Sequence, residues 1–412
     1  MTLNQETIRA PSFWQSGHRG SLFAAFFYTE VSFLVWIILG PLAVFIADEF
    51  KLNSAQVGIL VALPILSGTL LRLPAGLFVD RFGPRRVGMV AQSFVLAALI
   101  LLWAYGAPNI THFYYLAFLL GLAGVSFSVA MPLVSGWYPP EHQGKALGIA
   151  ALGGSGTFLS AMLAPGLAEA YGWQAVFGFA VVPVLAALAV YFVMAKETPD
   201  RPPKQTLSQY LLVLKYGDTL WFSFFYAVTF GGFVSFASSL VVYFHDQFQV
   251  SPVTAGVLLA VCILFGTLFR PVGGWLADRF GGIRTLQITF GVVAASLLLL
   301  SVGPQAVVAL SMACILAAMT ALGMGNGALF QLIPLRFYRQ MGVVTGLVGT
   351  AGGLGGFLLT LGFGLLREET GQYQTGFFLY AALSVIALAG LWSVKRRWRT
   401  TWGAPHITSA KV

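Results

Sequence analysis

Two arginines locate the chemistry of this chain. Arg72 and Arg270 each stand inside an apolar run, eight residues before the aspartate that closes it, Asp80 and Asp278. Eight helical residues rise about 12 Å, which puts both guanidiniums near the middle of any hydrocarbon layer these runs cross. An arginine at that depth costs about 2.5–3.5 kcal/mol on insertion scales, so it marks a ligand or a partner. Almost no acid accompanies the pair. Two cations without counter-charges ask for an anion. Guanidinium is a planar fork that stays charged at any working pH and suits a small planar oxyanion. Phosphate or a carboxylate would satisfy the same fork. Glu30 is the one acid well inside an apolar run, and its depth is close to that of the arginines. An ionised carboxylate there needs a proton or a partner, so Glu30 is a proton-coupling candidate. Tyr28 and Glu30 are two residues apart and therefore lie about 200° apart around a helix, so a cavity that one faces is hidden from the other.

Glycine density is the second chemical signal. The stretches GKALGIAALGGSG (144–156) and GVVTGLVGTAGGLGG (342–356) lie in the fifth and eleventh apolar runs. Glycine in a helix interior costs about 0.8–1 kcal/mol, so this density needs a reason. Gly144/Gly148 and Gly342/Gly346 have the spacing of close helix packing. The alternative is backbone brought close to a ligand, or helices that slide past one another. Neither GGLGG nor GMGNG (323–327) is a dinucleotide fingerprint, because no strand–helix crossover surrounds them.

Other chemistry is excluded by what the chain lacks. Cys262 and Cys314 both sit in apolar runs, and five scattered histidines show no HxxxH or HExxH spacing, so neither a metal centre nor a cofactor is expected. No nucleophile or acid/base pair marks an enzyme at the midplane. The net charge of +9 is compatible with nucleic acid in a soluble protein, but here 58% of the residues are hydrophobic and 9% charged, with a mean hydropathy of +0.81. An ordinary soluble domain carries about 25% charged residues. This composition belongs to an integral membrane protein in contact with lipid, with no nucleic-acid partner.

The elements that position these residues are membrane helices. About twelve runs of the roughly 20 apolar residues needed to cross a bilayer are present, centred near Trp36, Gly68, Ala97, Ala123, Gly156, Val184, Gly231, Leu264, Ala294, Ala317, Gly352 and Ile386. The polar segment Met1–Gly20 lacks signal-peptide order, which leaves both termini in the cytoplasm. Nineteen of the 23 basic residues then fall on that side, while the other face keeps Lys51 and Arg367 among acids such as Asp48, Glu49, Asp246, Glu368 and Glu369. Excess cytoplasmic Lys and Arg fixes this orientation in the cytoplasmic membrane. A solvated linker, 196–212, separates an N-terminal six-helix half (1–195) from a C-terminal one (213–412).

The halves repeat. GILVALPILSGTLLRLPAGLFVDRFGPRR (58–86) and GVLLAVCILFGTLFRPVGGWLADRFGGIR (256–284) align without a gap at an offset of 198, which pairs Gly68 with Gly266 and Arg72 with Arg270. The same offset pairs Phe26-Phe27-Tyr28 with Phe224-Phe225-Tyr226, and Gly154 with Gly352. Two homologous halves around a midplane site is how many secondary transporters are built.

Several segments resemble known families. GLFVDRFGPRR (76–86) and GWLADRFGGIR (274–284) resemble the paired gating motif of the major facilitator superfamily, with Gly76, Asp80, Arg81 and Gly274, Asp278, Arg279 as its residues. GLAGVSFSVAMPLVSGWYPPEHQGKALGI (121–149), GNGALFQLIPLRF (325–337) and the second glycine stretch look like the nitrate/nitrite porter family within it. The resemblance covers essentially the whole chain. It implies an all-α fold of twelve transmembrane helices in two homologous six-helix halves, a transporter rather than an enzyme, and nitrate or nitrite as substrate. It places the substrate arginines on Arg72 and Arg270, the aromatic walls on Phe127, Tyr226 and Phe230, and the signature backbone on Gly154, Ser155, Gly352 and Gly353. Tyr28, the repeat partner of Tyr226, is a further candidate. Asn326 is equally suited to packing, capping or binding. A monomer working by proton symport, by nitrate/nitrite exchange, or on another small anion remains open at this level. One departure is plain: the family's G-N-x-G segment reads Gly153-Gly154-Ser155-Gly156 here, so Ser155 or a water must stand in for the missing amide.

Overall fold

The computed structural model of the chain describes residues 12–198, 212–302, 308–337 and 341–401. Most of the expected linker therefore lies outside the described residues, as do Arg9, Arg201, Lys204, Arg339 and Lys411. Twelve helices among the described residues are long and apolar enough to cross a membrane. The protein is an all-α, multi-pass membrane protein.

The first span is α1 (Arg19–Trp36) continued by α2 (Leu39–Phe50). Pro41 in the first turn of α2 supplies no amide hydrogen, which favours a break just before it. Spans two and three are α3 (Ser54–Phe82) and α4 (Pro84–Tyr105). The fourth span is split into α5 (Ile110–Leu120), a 3-10 turn at Gly121–Val125, and α6 (Ser126–Ser135). The fifth is split likewise into α7 (Pro140–Ala151), a 3-10 turn at Leu152–Ser155, and α8 (Gly156–Tyr171); α9 (Trp173–Met194) completes the first six. The second six run unbroken as α10 (Gly217–Phe248), α11 (Pro252–Phe280), α12 (Gly282–Val302), α13 (Val308–Phe337), α14 (Met341–Thr370) and α15 (Gln374–Thr401).

Local signals set the helix ends. Asn53 and Gln56 form a reciprocal capping box at the start of α3. Gly83 and Gly281, 198 residues apart, end α3 and α11 with φ of 89° and 98°, a region glycine enters without steric cost. At Gly83 a side chain would also strike the Glu197 carboxylate.

Contacts between the halves concentrate toward the end that carries Asp48, Glu49, Asp246, Glu368 and Glu369. There α3 crosses α14 so closely that a β-carbon on Gly58 would lie 2.9 Å from Gly364 Cα. Gly256 of α11 meets the Ala161 carbonyl of α8 in the same way, at 2.7 Å. The Ser54 amide donates to Glu368 Oε2 at 2.9 Å, joining the halves directly. A cavity of about 200 Å³ remains at this closed end, lined from both halves by residues including Asp48, His245, Arg367 and Tyr373. Toward the opposite, basic end, Gly148 on α7 and Gly349 on α14 face open space. The halves are thus in close contact at the acidic end.

Candidate functional site

Arg72 is 8% exposed and held from several directions. Its Nε donates to the Gly124 carbonyl at 2.9 Å. That carbonyl lies in the 3-10 turn of the fourth span, where the helical hydrogen-bond pattern changes and leaves it free to accept. Nη1 donates across the halves to Gly349 O on α14, at 3.2 Å. The guanidinium carbon sits 5.2 Å from the Trp36 ring centre, and Trp36 is itself fixed by its indole N–H on Pro64 O at 2.8 Å. Nη2 is buried and has no hydrogen-bond partner.

Arg270 reaches the same place from the other half. Its guanidinium carbon lies 4.5 Å from the centre of the Phe233 ring, close enough for a cation–π contact. Its Nη1 lies 3.6 Å from where a β-carbon on Gly154 would stand, so the arginine of α11 faces the 3-10 turn of the fifth span. Its Nε is buried without a partner. Among the described residues neither Arg72 nor Arg270 is paired with a carboxylate; the ion pairs found are those of Asp218 with Arg336 and Arg397.

The two arginines share one aromatic wall. Both guanidinium carbons lie 6.0 Å from the centre of the Phe230 ring. Phe230 stacks on Tyr226 at 5.0 Å with planes 4° apart, and Phe330 closes on Tyr226 edge-on at 5.2 Å. The electrostatic influence of both arginines reaches the Tyr226 hydroxyl. Such a place combines two cations, unpaired N–H donors and flat apolar faces, which suits a small planar anion and sheds water.

The glycines have separate tasks. Gly352 lets α14 lie against the aromatic stack, since a β-carbon there would collide with Tyr226 and come within 3.1 Å of Phe230. Gly353 leaves room for Thr69, one turn before Arg72. Gly153 and Gly156 admit α1, whose backbone at Glu30 would meet any side chain at either position. Gly154 alone of this group opens toward an arginine.

Two expectations change. Tyr28 is not brought to the arginines: its hydroxyl donates to Gly88 O at 3.1 Å and its ring packs on Tyr191 at 4.7 Å. Ser155 does not face Arg270; its hydroxyl is turned to Glu30 Oε2 and Leu152 O, each at 2.7 Å. Both have one cause. Glu30 points at the fifth span, where the Gly156 amide also bonds it, and the helical turn between residues 28 and 30 carries Tyr28 to the far side. Phe127 has its ring edge-on to Phe33 at 5.4 Å, and Phe33 in turn meets Trp36, the ring beside Arg72. In the paired motif, Arg81 and Arg279 lie over Phe82 and Phe280, and Gly274 faces the Gly327 carbonyl.

Sequence reasoning missed Trp36, Phe233 and the carbonyls of Gly124 and Gly349. Phe233 could have been found, because it follows Phe230 by three residues and so shares its helix face. The carbonyls carry no side-chain signal.

Comparison with known proteins agrees with this geometry. The family model described as Major Facilitator Superfamily matches residues 25–360. The chain is 33% identical over 358 residues to a "nitrite extrusion protein" of Bacillus subtilis, covering 87% of this chain and 89% of that one. It is 34% identical over 392 residues to a "probable nitrate/nitrite antiporter" of Thermus thermophilus, covering 87% of each. In fold it resembles a bacterial homolog of the human lysosomal transporter Spinster, solved inward-facing and unoccupied, with a TM-score of 0.71 at 16% identity over 93% of this chain and 98% of that one. The chain belongs to the nitrate/nitrite porters of the Major Facilitator Superfamily.

Proposed function

We propose that this protein carries nitrate, and nitrite as a second substrate, across the cytoplasmic membrane by alternating access. The observation that carries the reading is the pair of carboxylate-free guanidiniums, one from each half, at equal distance from Phe230. Nitrate bridges Arg72 and Arg270 while Phe230 and Phe127 shield it and Tyr226 donates a hydrogen bond. The halves (1–195 and 213–412, joined by 196–212) then rock about the bound anion in a monomer surrounded by lipid. Both termini lie in the cytoplasm, as the basic charge of that end requires. On this reading the basic end is the cytoplasmic mouth, and the motif residues Gly76, Asp80, Arg81, Gly274, Asp278 and Arg279 gate it.

Coupling runs through Glu30. Its carboxylate bonds Ser155, and the next residue toward the site, Gly154, faces Arg270. A proton on Glu30 weakens its hold on the fifth span and so links protonation to the wall of the site. This favours nitrate–proton symport; exchange of nitrate for nitrite is the second reading, supported by the antiporter among the relatives.

The test is counterflow of labelled nitrate in proteoliposomes, with nitrite, phosphate and short carboxylates as competitors. Nitrate and nitrite should compete and the others should not; a phosphate block would overturn the substrate. Glu30→Gln should abolish accumulation driven by an acid exterior while keeping nitrate–nitrate counterflow. A Gln variant that still concentrates nitrate against a pH gradient would remove Glu30 from coupling.

A further inference from the structure

Asn326 is the polar group that the site as described leaves without a task. It lies in the middle of α13 and is 3% exposed, yet neither Nδ2 nor Oδ1 has a hydrogen-bond partner. A buried amide left unbonded destabilises the fold, a cost that an apolar side chain in the same place would not carry. Packing alone therefore gives no reason for asparagine here.

The neighbours of Asn326 fix where it stands. Gly327, the next residue, lies against the Arg270 carbonyl and Gly274 amide of α11. Gly325, the residue before, meets Thr289 of α12 and Thr229 of α10, the latter adjacent to Phe230. Phe330, one turn along the same face, meets Tyr226. Asn326 is thus bracketed between the helix that carries Arg270 and the helix that carries Tyr226 and Phe230. Two guanidinium donors at this level, Arg72 Nη2 and Arg270 Nε, are also buried and unpartnered.

We infer that Asn326 is a specificity-determining residue whose Nδ2 donates to the third oxygen of an anion held by the two arginines. This rests on the proposed transport of nitrate. Nitrate presents three equivalent oxygens in one plane, and two guanidiniums approaching from opposite halves engage two of them. Nitrite has only two oxygens, so the amide finds no acceptor and stays unbonded. A site built to bond a ligand atom rejects the analogue that lacks it far better than an apolar pocket does. The amide is neutral, so it selects by the number of oxygens and leaves the charge balance of the arginine pair unchanged.

The experiment titrates purified full-length protein with nitrate and with nitrite by calorimetry, for wild type, Asn326→Leu and Asn326→Ala, with thermal melting as a control for folding. Asn326→Leu removes an unbonded buried amide but adds bulk, so melting establishes that it folds before its affinities are compared. Its nitrate affinity should fall about tenfold with nitrite affinity nearly unchanged, so the preference between the anions falls by the same factor. Asn326→Ala removes the donor without adding charge or bulk and should lower the preference likewise; it reads the preference if the leucine variant does not fold. An unchanged preference in both variants overturns the inference, as does equal weakening toward both anions, which a purely structural amide would give. Wild-type protein that binds neither anion would instead overturn the transport reading beneath it.

Discussion

Arg72 and Arg270 occupy equivalent positions in homologous halves, yet the two halves hold them by different means. Arg72 is tied to backbone, with Gly124 O and Gly349 O accepting from it. Arg270 rests on ring faces, Phe233 and Phe230, and its described contacts include no carbonyl. The difference follows from the surrounding helices. The fourth and fifth spans are interrupted by 3-10 turns at Gly121–Val125 and Leu152–Ser155, whereas the stretches 198 residues later run within the continuous helices α13 and α14. The 3-10 turn re-aims the Gly124 carbonyl toward Arg72, while Gly349 O accepts from the same arginine within the continuous α14. Homology thus preserved the two charges while their surroundings diverged: a carbonyl from each half holds Arg72, and rings of its own half seat Arg270.

The largest test of this contrast is the charge-preserving change. Arg72→Lys and Arg270→Lys each lose forked bonding to the anion, so nitrate counterflow should drop by about 30-fold or more in both. Only Arg72→Lys should also lower the melting temperature, because lysine cannot reach both Gly124 O and Gly349 O. Equal thermal losses would erase the distinction between an arginine held by carbonyls and one seated on rings.

The glycines sharpen it next. Gly352→Ala drives a methyl into the Tyr226–Phe230 stack and should cost about 1–3 kcal/mol of stability along with most transport. Gly154→Ala meets only Arg270 Nη1, at an ordinary contact distance, and should transport near the wild-type rate, while Gly154→Leu should obstruct the arginine. Comparable damage from the two alanine variants would show that the space beside Arg270 is already filled.

The basic ends differ in the same spirit. In the C-terminal half Asp218 accepts from Arg336 Nε at 2.7 Å, from Trp398 Nε1 at 2.8 Å and from Arg397, which clasps the ends of α10, α13 and α15. In the N-terminal half the corresponding helix start is capped by His18, whose Nδ1 accepts from the Ser21 amide at 2.9 Å. Asp218→Ala should cost about 2 kcal/mol, reduced from the value for a fully buried cluster because the arginines are partly exposed. His18→Ala should cost about 1 kcal/mol. Thermal melting of the two variants ranks them, and a larger loss for His18→Ala would reverse the comparison.

The smallest effect is a pH step confined to the N-terminal half. Partial burial first, and the Lys196 charge second, hold the His18 imidazole below the ordinary value of 6.5. Its neutral form is the cap. The folded state therefore binds protons less readily than the unfolded one, so the stabilisation is complete above the ordinary value and is lost as pH falls through the lowered one. Amide exchange at the start of α1 should accelerate on acidification. His18→Asn, which caps without titrating, should flatten that response, and the start of α10, where Tyr216 makes no side-chain cap, should show no such step. An unchanged response in His18→Asn would assign the step to another group.

Much of the molecule is legible in the sequence because a bilayer leaves few choices. With no water in the hydrocarbon, backbone polar groups must bond internally, so apolar runs about 20 residues long become helices. The gap-free offset of 198 carried the two-half architecture and the pairing of Arg72 with Arg270. The aromatics Tyr226 and Phe230 were also within reach, through the resemblance. Helix rotation was not. Tyr28 was placed by repeat symmetry, but its helix face is set by Glu30 turning to Ser155 and Gly156.

By itself, then, the sequence determined which residues are charged at membrane depth and how the chain repeats, because burial of charge and helical periodicity act residue by residue, while its motifs carried the resemblance to the nitrate/nitrite porters. Only the tertiary structure decided that Gly124 and Gly349 carbonyls hold Arg72, that Phe233 underlies Arg270, that Ser155 serves Glu30, and that Asn326 is buried unbonded beside the arginine seam. Those assignments depend on where helices distant in sequence cross and on which carbonyls a 3-10 turn releases. A carbonyl is the same group at every residue, so its role emerges only when packing brings a donor to it.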